Sequence, residues 1–398
     1  MTLSEKEDAH DASRIVRLLL VVPGITIVVL AIVADLLSWN ARIEWRFGRI
    51  QLLLAGVGIA IFATGVAVSR IFSPRLVARI AKLVLGAALA FFALCTIETV
   101  FRLFDPLGLE YYPEISRYFG QMESDDDFAY IHPPELEGVF QGAHVRINRE
   151  GLRWREQPIT KPEGRHRILV LGDSVVFGWG VEQEQILAAQ LERIVHEDND
   201  QWEVVSAGVG SWNTRTEFEW LKKKGVAYQP EIALLVVVPN DIFSKNLNQN
   251  NANGGVKKHS IAKTLWTAIA TRSYVIGFYQ HQRNGRLRLA AEDAAYSVVS
   301  WQWQDVDRAL QQMAEICTAN DIIFLAALPF SKDRNQPFYA RYEDSFSRYR
   351  IPYTVLPDVT MHRNSVVDGH PNAEGHRILA VHLRDFLKAN LSAINNEP

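Results

Sequence analysis

The stretch RILVLGDSVVFGWGV, residues 167–181, decides how this chain is read. Its first half, Ile168 to Leu171, is an unbroken apolar run of the kind found in strands buried on both faces. The run stops at Gly172-Asp173-Ser174 and gives way to aromatics and glycines. Asp and Ser are good helix N-caps, so a strand followed by a capped helix accounts for the pattern. A nucleophile held at the carboxyl end of a buried strand accounts for it equally well. The choice depends on what the rest of the chain brings to the same place.

Three more short runs rich in Val, Ile and Leu follow: Trp202 to Ala207, Glu231 to Val238 and Asp321 to Leu328, with Tyr353 to Leu356 as a fifth candidate. Stretches of helical period separate them, such as Gln183 to His196 and Asp305 to Thr318. Near-continuous apolar strands alternating with helices predict a parallel α/β sheet. A last helix is expected after His370-Pro371-Asn372, with Asn372 as its N-cap and Leu379, Leu383 and Phe386 on one face. Residues 105–165 are polar and aromatic, and they read as a neck that packs onto this domain. Within the neck, HVRINREGLRWREQP is expected to form a short hairpin or loop. The polar stretch at 246–258 reads as a mobile loop. The insertion from Ile242 to about Ala295 is either a lid or a packing helix.

Open α/β sheets bind ligands outside the carboxyl ends of their strands. The first strand ends on Gly172, Asp173 and Ser174; the second on Gly208 and Gly210, in SAGVGSWN; the third on Pro239, Asn240 and Asp241. Asp368-Gly369-His370 precedes the last helix. Each station alone reads as turn chemistry. Together they place a serine, two hydrogen-bond donor positions, a histidine and a carboxylate around one crevice.

These four stations, in this order, resemble the blocks of the SGNH, or GDSL-type, hydrolases: Ser174 in LGDSVVFGWG, Gly208 in SAGVGSWN, Asn240 in VPND and His370 in DGHPNAEGH. The resemblance covers roughly residues 145–390. It implies a flavodoxin-like, three-layer α/β/α fold. Three positions depart from the family pattern. Pro239 stands where the third block usually begins with Gly, and Ser206 where the second often has Asn. Asp368 precedes His370 by two residues rather than three.

The chemistry fits the residue types. A serine hydroxyl attacks an ester only when a base takes its proton, the role implied for His370, with Asp368 orienting the ring. The implied oxyanion donors are the backbone N–H groups of Ser174 and Gly208 and the side-chain amide of Asn240. Asp173 is read as fixing the turn. His376 falls inside the last helix and reads as structural, while His132, His259 and His281 lack a partner motif. Trp179, Trp212, Trp301 and Trp303 either line a groove or fill the core. No HExxH or CxxC spacing is present, GWG at 178–180 lacks the rest of a phosphate loop, and no cofactor is expected. Cys95 and Cys317 lie far apart and read as small buried hydrophobes.

Nearly all the uninterrupted apolar sequence lies before residue 105. The runs Leu18 to Leu37, Ile50 to Ser69 and Leu83 to Phe101 each approach the ~20 residues that cross a bilayer as a helix. Three membrane-spanning helices are therefore expected over 1–104, then the neck over 105–165 and the hydrolase-like domain over 166–398. Seven basic residues flank the spans on the N-terminal side (Lys6, Arg14, Arg17, Arg70, Arg75, Arg79 and Lys82), against Arg42, Arg46 and Arg49 on the other. That bias predicts an inner-membrane protein with its C-terminal domain on the periplasmic side. A net charge of −3 over 398 residues gives no basic footprint for nucleic acid. The expected activity is ester cleavage on an acylated lipid or glycan. The alternatives are an O-acyltransferase that acetylates an exported polysaccharide with the same residues, and a non-catalytic binding module on an anchor.

Overall fold

The computed structural model describes residues 24–29, 55–61, 63, 74–105, 107–242, 273–276, 278–279, 300–330 and 337–395. The chain divides into two compact units, Met1–Leu103 and Phe104–Pro398.

In the first unit, helical stretches cover 24–29 and 55–61. They approach closely where Gly58 lacks a side chain: a Cβ there would lie 2.9 Å from Gly24 O and 3.0 Å from a Val28 methyl. Small residues allow such backbone approach between apolar helices. Helix α1 (Pro74–Phe104) contains Leu85–Phe104, 20 residues that are long and apolar enough to cross a membrane. Several of its polar groups bond within the helix. Thr96 and Thr99 donate their hydroxyls to Phe92 O (2.9 Å) and Cys95 O (2.8 Å), one turn back. Arg102 pairs with Glu98 at 2.9 Å. Most of the runs 18–37 and 50–69 lies outside the described residues.

The second unit is built on a five-stranded parallel sheet. Its strands are β5 (His166–Gly172), β6 (Trp202–Gly208), β7 (Ile232–Val236), β8 (Ile323–Leu328) and β9 (Tyr353–Val355), in spatial order β6-β5-β7-β8-β9. Numbered within the sheet, that order is 2-1-3-4-5, the flavodoxin-like winding. Right-handed crossovers place helices on opposite faces when the winding reverses after β6. On one face α4 (Leu187–Asp198) packs against α8 (Ala373–Asn395). On the other, α6 (Ser300–Ala319) packs against α5 (Thr214–Lys223) and α7 (Pro337–Tyr349). The middle strand β7 is buried at every residue, as its apolar sequence requires.

The segment before the sheet is threaded into the same core. Helix α2 (Tyr111–Phe119), strands β1 (Glu123–Asp125) and β2 (Ala129–Ile131), and the hairpin β3 (Glu137–Phe140)–β4 (Ala143–Arg146) supply Tyr118, Phe119, Phe128, Tyr130, Phe140 and Val145 to it. The hairpin lies upstream of most of the stretch in which the sequence placed one. Its two-residue turn, Gln141-Gly142, has both φ angles positive (49° and 75°), which suits the strand twist. Two fully buried arginines fasten the segment. Arg167 donates to the carbonyls of Pro158 (2.8 Å), Ile159 (2.6 Å) and Tyr228 (3.0 Å) and to Glu203 (3.1 Å). Arg153 bonds the turn that follows β5.

Candidate active site

The carboxyl end of β5 turns directly into α3 (Ser174–Phe177). Asp173 is its N-cap and accepts Val175 N–H at 3.0 Å, so its turn-forming role is local and physical. Gly178 ends the helix after one turn, with φ 77° and its N–H on Ser174 O at 3.0 Å. Arg153 closes the other side. It donates to the carbonyls of Phe177 (3.1 Å), Gly178 (2.5 Å), Val181 (2.6 Å) and His144 (3.1 Å). Burial lowers the Arg153 guanidinium to about 10, which leaves it a cation at neutral pH beside the helix's negative end. Ser174 is thus fixed on a rigid, four-residue pedestal.

His370 arrives from the other end of the chain. Its Nε2 lies 2.8 Å from Ser174 Oγ, and its Nδ1 lies 2.5 Å from Asp368 Oδ1. Asp368 is fully buried and His370 is partly open to solvent. The two-residue spacing closes because Asp368 forms an Asx turn: the same Oδ1 accepts the backbone N–H of His370 at 3.1 Å. Ser174 Oγ also lies 3.0 Å from Asp173 Oδ2, a second acceptor for its one proton. A line of serine, imidazole and buried carboxylate can deprotonate the hydroxyl as it attacks a carbonyl carbon.

The remaining predicted residues sort as follows. A Cβ on Gly208 would lie 2.2 Å from Phe177 N, so the missing side chain admits the backbone of α3. Asn240 lies in the 3-10 turn Pro239–Ile242 after β7, and its side chain is outside the described residues. Asn372 caps α8 by accepting Gly375 N–H at 3.0 Å. His376 is buried inside that helix, where burial lowers it to about 3. His132 is hydrogen-bonded in the core, with Tyr118 Oη on Nε2 and Gly151 O at 2.9 Å from Nδ1. Burial lowers it to about 4, so it sits neutral in the core. Trp179 and Trp212 are core residues, and Trp303 packs edge-on to Tyr342 at 4.9 Å. His259, His281, the Trp301 side chain and nearly all of the 242–295 insertion fall outside the described residues. Among the described residues, no group of three or more His, Cys, Asp or Glu is placed to hold a metal ion.

Sequence reasoning missed several residues here. Tyr111 of α2 lies with its ring 6.1 Å from that of His370. Asn364 bonds both Trp179 and Asp368. Near Asp173 lie two more buried acids, Glu217 of α5 and Asp241. Neither Glu217 oxygen has a hydrogen-bond partner among the described residues, nor has Asp241 Oδ1. Burial, with Asp173 nearby, pushes the Glu217 carboxyl well above its ordinary range, and burial beside Glu217 and Asp173 does the same for Asp241. A carboxyl whose folded-state pKa is raised keeps its proton when the unfolded chain would lose it. Stability therefore falls as pH rises above the carboxylate range. Glu217→Gln is expected to raise the melting temperature by a few degrees at pH 8, with the gain vanishing near pH 4. Equal melting curves for both proteins at pH 8 would refute it.

Among curated proteins, no relative matches the chain. Similar solved structures include the psychrotrophic esterase EstA from Pseudoalteromonas sp. (13% identity, 57% of this chain and 99% of that one, TM-score 0.38). They also include the lipase/acylhydrolase from Enterococcus faecalis (12% identity, 56% and 96%, TM-score 0.35). The model of the GDSL-like lipase/acylhydrolase family matches residues 170–378. That match takes in more than half of the chain and runs from β5 past His370, and so the chain belongs to the GDSL-like lipase/acylhydrolase family.

Proposed function

We propose that this protein is a membrane-anchored serine esterase that removes acyl groups from a lipid or glycan outside the cytoplasmic membrane. The observation that carries the reading is the hydrogen-bonded line Ser174–His370–Asp368, with Asp368 buried and Ser174 on its pedestal. Ser174 attacks the ester carbonyl as His370 takes its proton. The imidazolium, held by Asp368, then protonates the leaving alcohol, and water or another hydroxyl releases the acyl group. The N–H of Ser174, at the start of α3, is the first donor to the oxyanion. The family motif assigns Gly208 and Asn240 as the others.

The anchor rests on Leu85–Phe104 and on the apolar runs 18–37 and 50–69. With three spans, the basic residues orient the catalytic domain to the periplasm. A C-terminal reporter active only in the periplasm is expected to be on; a silent fusion would reverse the orientation. The chemical test uses the full chain in detergent with p-nitrophenyl acetate. Ser174→Ala is expected to abolish turnover, and equal rates would end the enzyme reading. Adding an oligosaccharide acceptor divides hydrolysis from transfer. Free acetate supports the esterase, whereas acetylated sugar found by mass spectrometry makes the protein an O-acyltransferase with the same residues.

A further inference from the structure

The glycines of GWG at 178–180 are only half explained by the nucleophile turn. Gly178 ends α3, but the open side of Gly180 faces other segments. Its φ is 79°, and a Cβ there would lie 2.3 Å from Asn364 Nδ2 and 2.9 Å from Asn364 Cγ. The space beside Gly180 is therefore taken first by the Asn364 amide, with Gln141 Cγ behind it at 3.3 Å. That amide spends both of its N–H groups across the site: one on Trp179 O (2.8 Å), five residues after the nucleophile, and one on Asp368 Oδ2 (3.1 Å). Asn364 is itself held by the loop it serves, its backbone N–H on His370 O at 2.9 Å. Ser365 continues the clasp, its Oγ accepting Asp368 N–H at 3.0 Å.

We propose that Asn364, seated in the gap left by Gly180, is the positioning residue that registers the Asp368–His370 loop against the nucleophile turn. This inference rests on the triad reading and deepens it. The Ser174–His370 hydrogen bond must break and re-form as the proton moves, so it cannot by itself hold two distant chain segments in register. Asn364 takes no part in proton transfer and keeps its bonds throughout. It touches no reacting atom and acts only through Asp368 and Trp179 O. The chemistry calls for an amide: two donors are needed at one planar group, one for a carbonyl and one for a carboxylate. A carboxylate of the same shape repels both partners.

The test compares full-length wild type, Asn364→Ala, Asn364→Asp, Gly180→Ala and the Gly180→Ala/Asn364→Ala pair in detergent, with Ser174→Ala as control. Readouts are p-nitrophenyl acetate kinetics, melting, and the labelling rate of a serine-reactive fluorophosphonate, which needs no natural substrate. Asn364→Ala is expected to lower kcat and labelling about 10- to 100-fold, with KM and melting little changed, because sub-ångström misplacement of a reacting group carries such a penalty. Asn364→Asp adds negative charge beside the imidazole's partner. This favours imidazolium, so the acid limb of kcat/KM moves up by about one pH unit. That isosteric variant also covers the case in which Asn364→Ala does not fold. Gly180→Ala displaces the same amide, so the pair should be no slower than the slower single variant. Wild-type kcat and pH profile in Asn364→Ala and Asn364→Asp overturn the proposal, as do losses that multiply in the pair. If Ser174→Ala turns over at the wild-type rate, the triad reading fails. If Ser174→Ala is inert and the Asn364 variants are wild-type, only this inference fails.

Discussion

Replacing Asp368 with Asn is expected to lower kcat for ester cleavage by about 10⁴-fold while the protein still folds. The neighbours of that side chain say why. As a carboxylate, Asp368 accepts on both oxygens: His370 N–H and Nδ1–H on Oδ1, Asn364 Nδ2–H on Oδ2. An amide at 368 has one acceptor and one donor end. If its nitrogen faces Asn364, two donors meet. If it faces His370, it donates to Nδ1 and drives the ring proton to Nε2, where the imidazole can no longer accept from Ser174. Either outcome removes the base or its alignment. The size of the loss is that seen where the same change is made in other serine–histidine–aspartate sites. Volume is conserved and the clasp around Ser365 is untouched, so melting should shift little. Steady-state kinetics with p-nitrophenyl acetate, beside a melting curve, measure both. A loss below about tenfold would mean that Asp368 is not the residue that orients the base.

The parts of this site visible in the sequence share one property: their chemistry is local to a motif. Asp173 caps its own helix and Asn372 caps the next, so short patterns announce them. The strands were legible because β5 and β7 are buried along their length and leave near-continuous apolar runs. What stayed hidden is joined over long distance. Asn364 sits in a polar stretch, HRNSVVDGH, and meets its partner 185 residues earlier in the chain. Asp368 looked misplaced at two residues from His370, because an Asx turn that closes the short spacing leaves no periodic trace. Gly208 was expected as an oxyanion donor, and the room its missing Cβ makes for α3 depends on packing against a separate segment that the motif does not show. The neck was read as packing onto the domain, but its polar, Pro- and Gly-rich composition did not show which of its residues, from Tyr118 to Val145, enter the core.

Arg153→Ala is expected to cost more than any other substitution in that neck and to leave little folded protein. The four N–H groups of its two terminal nitrogens meet four carbonyls: Phe177 and Gly178 from Nη1, His144 and Val181 from Nη2. The side chain is 1% exposed, so water does not reach those carbonyls in its place. Each buried acceptor left without a donor costs about 1–3 kcal/mol. Gly178 O keeps the Val181 N–H at 3.4 Å, but the other three left bare would remove a large part of the stability of a typical domain, about 5–15 kcal/mol. Lysine does not substitute, since its three donors radiate from one point and cannot span carbonyls on both sides of the turn. Arg153→Lys is accordingly expected to fold poorly as well. The damage falls first on α3, whose last carbonyls lose both their hydrogen bonds and the compensating charge, so the Ser174 pedestal is the element that frays. Melting of the full chain in detergent, with fluorophosphonate labelling of Ser174, reads both effects. A melting temperature within a few degrees of wild type would show that the carbonyls find other donors, and that the neck is held to the catalytic turn by its apolar contacts instead.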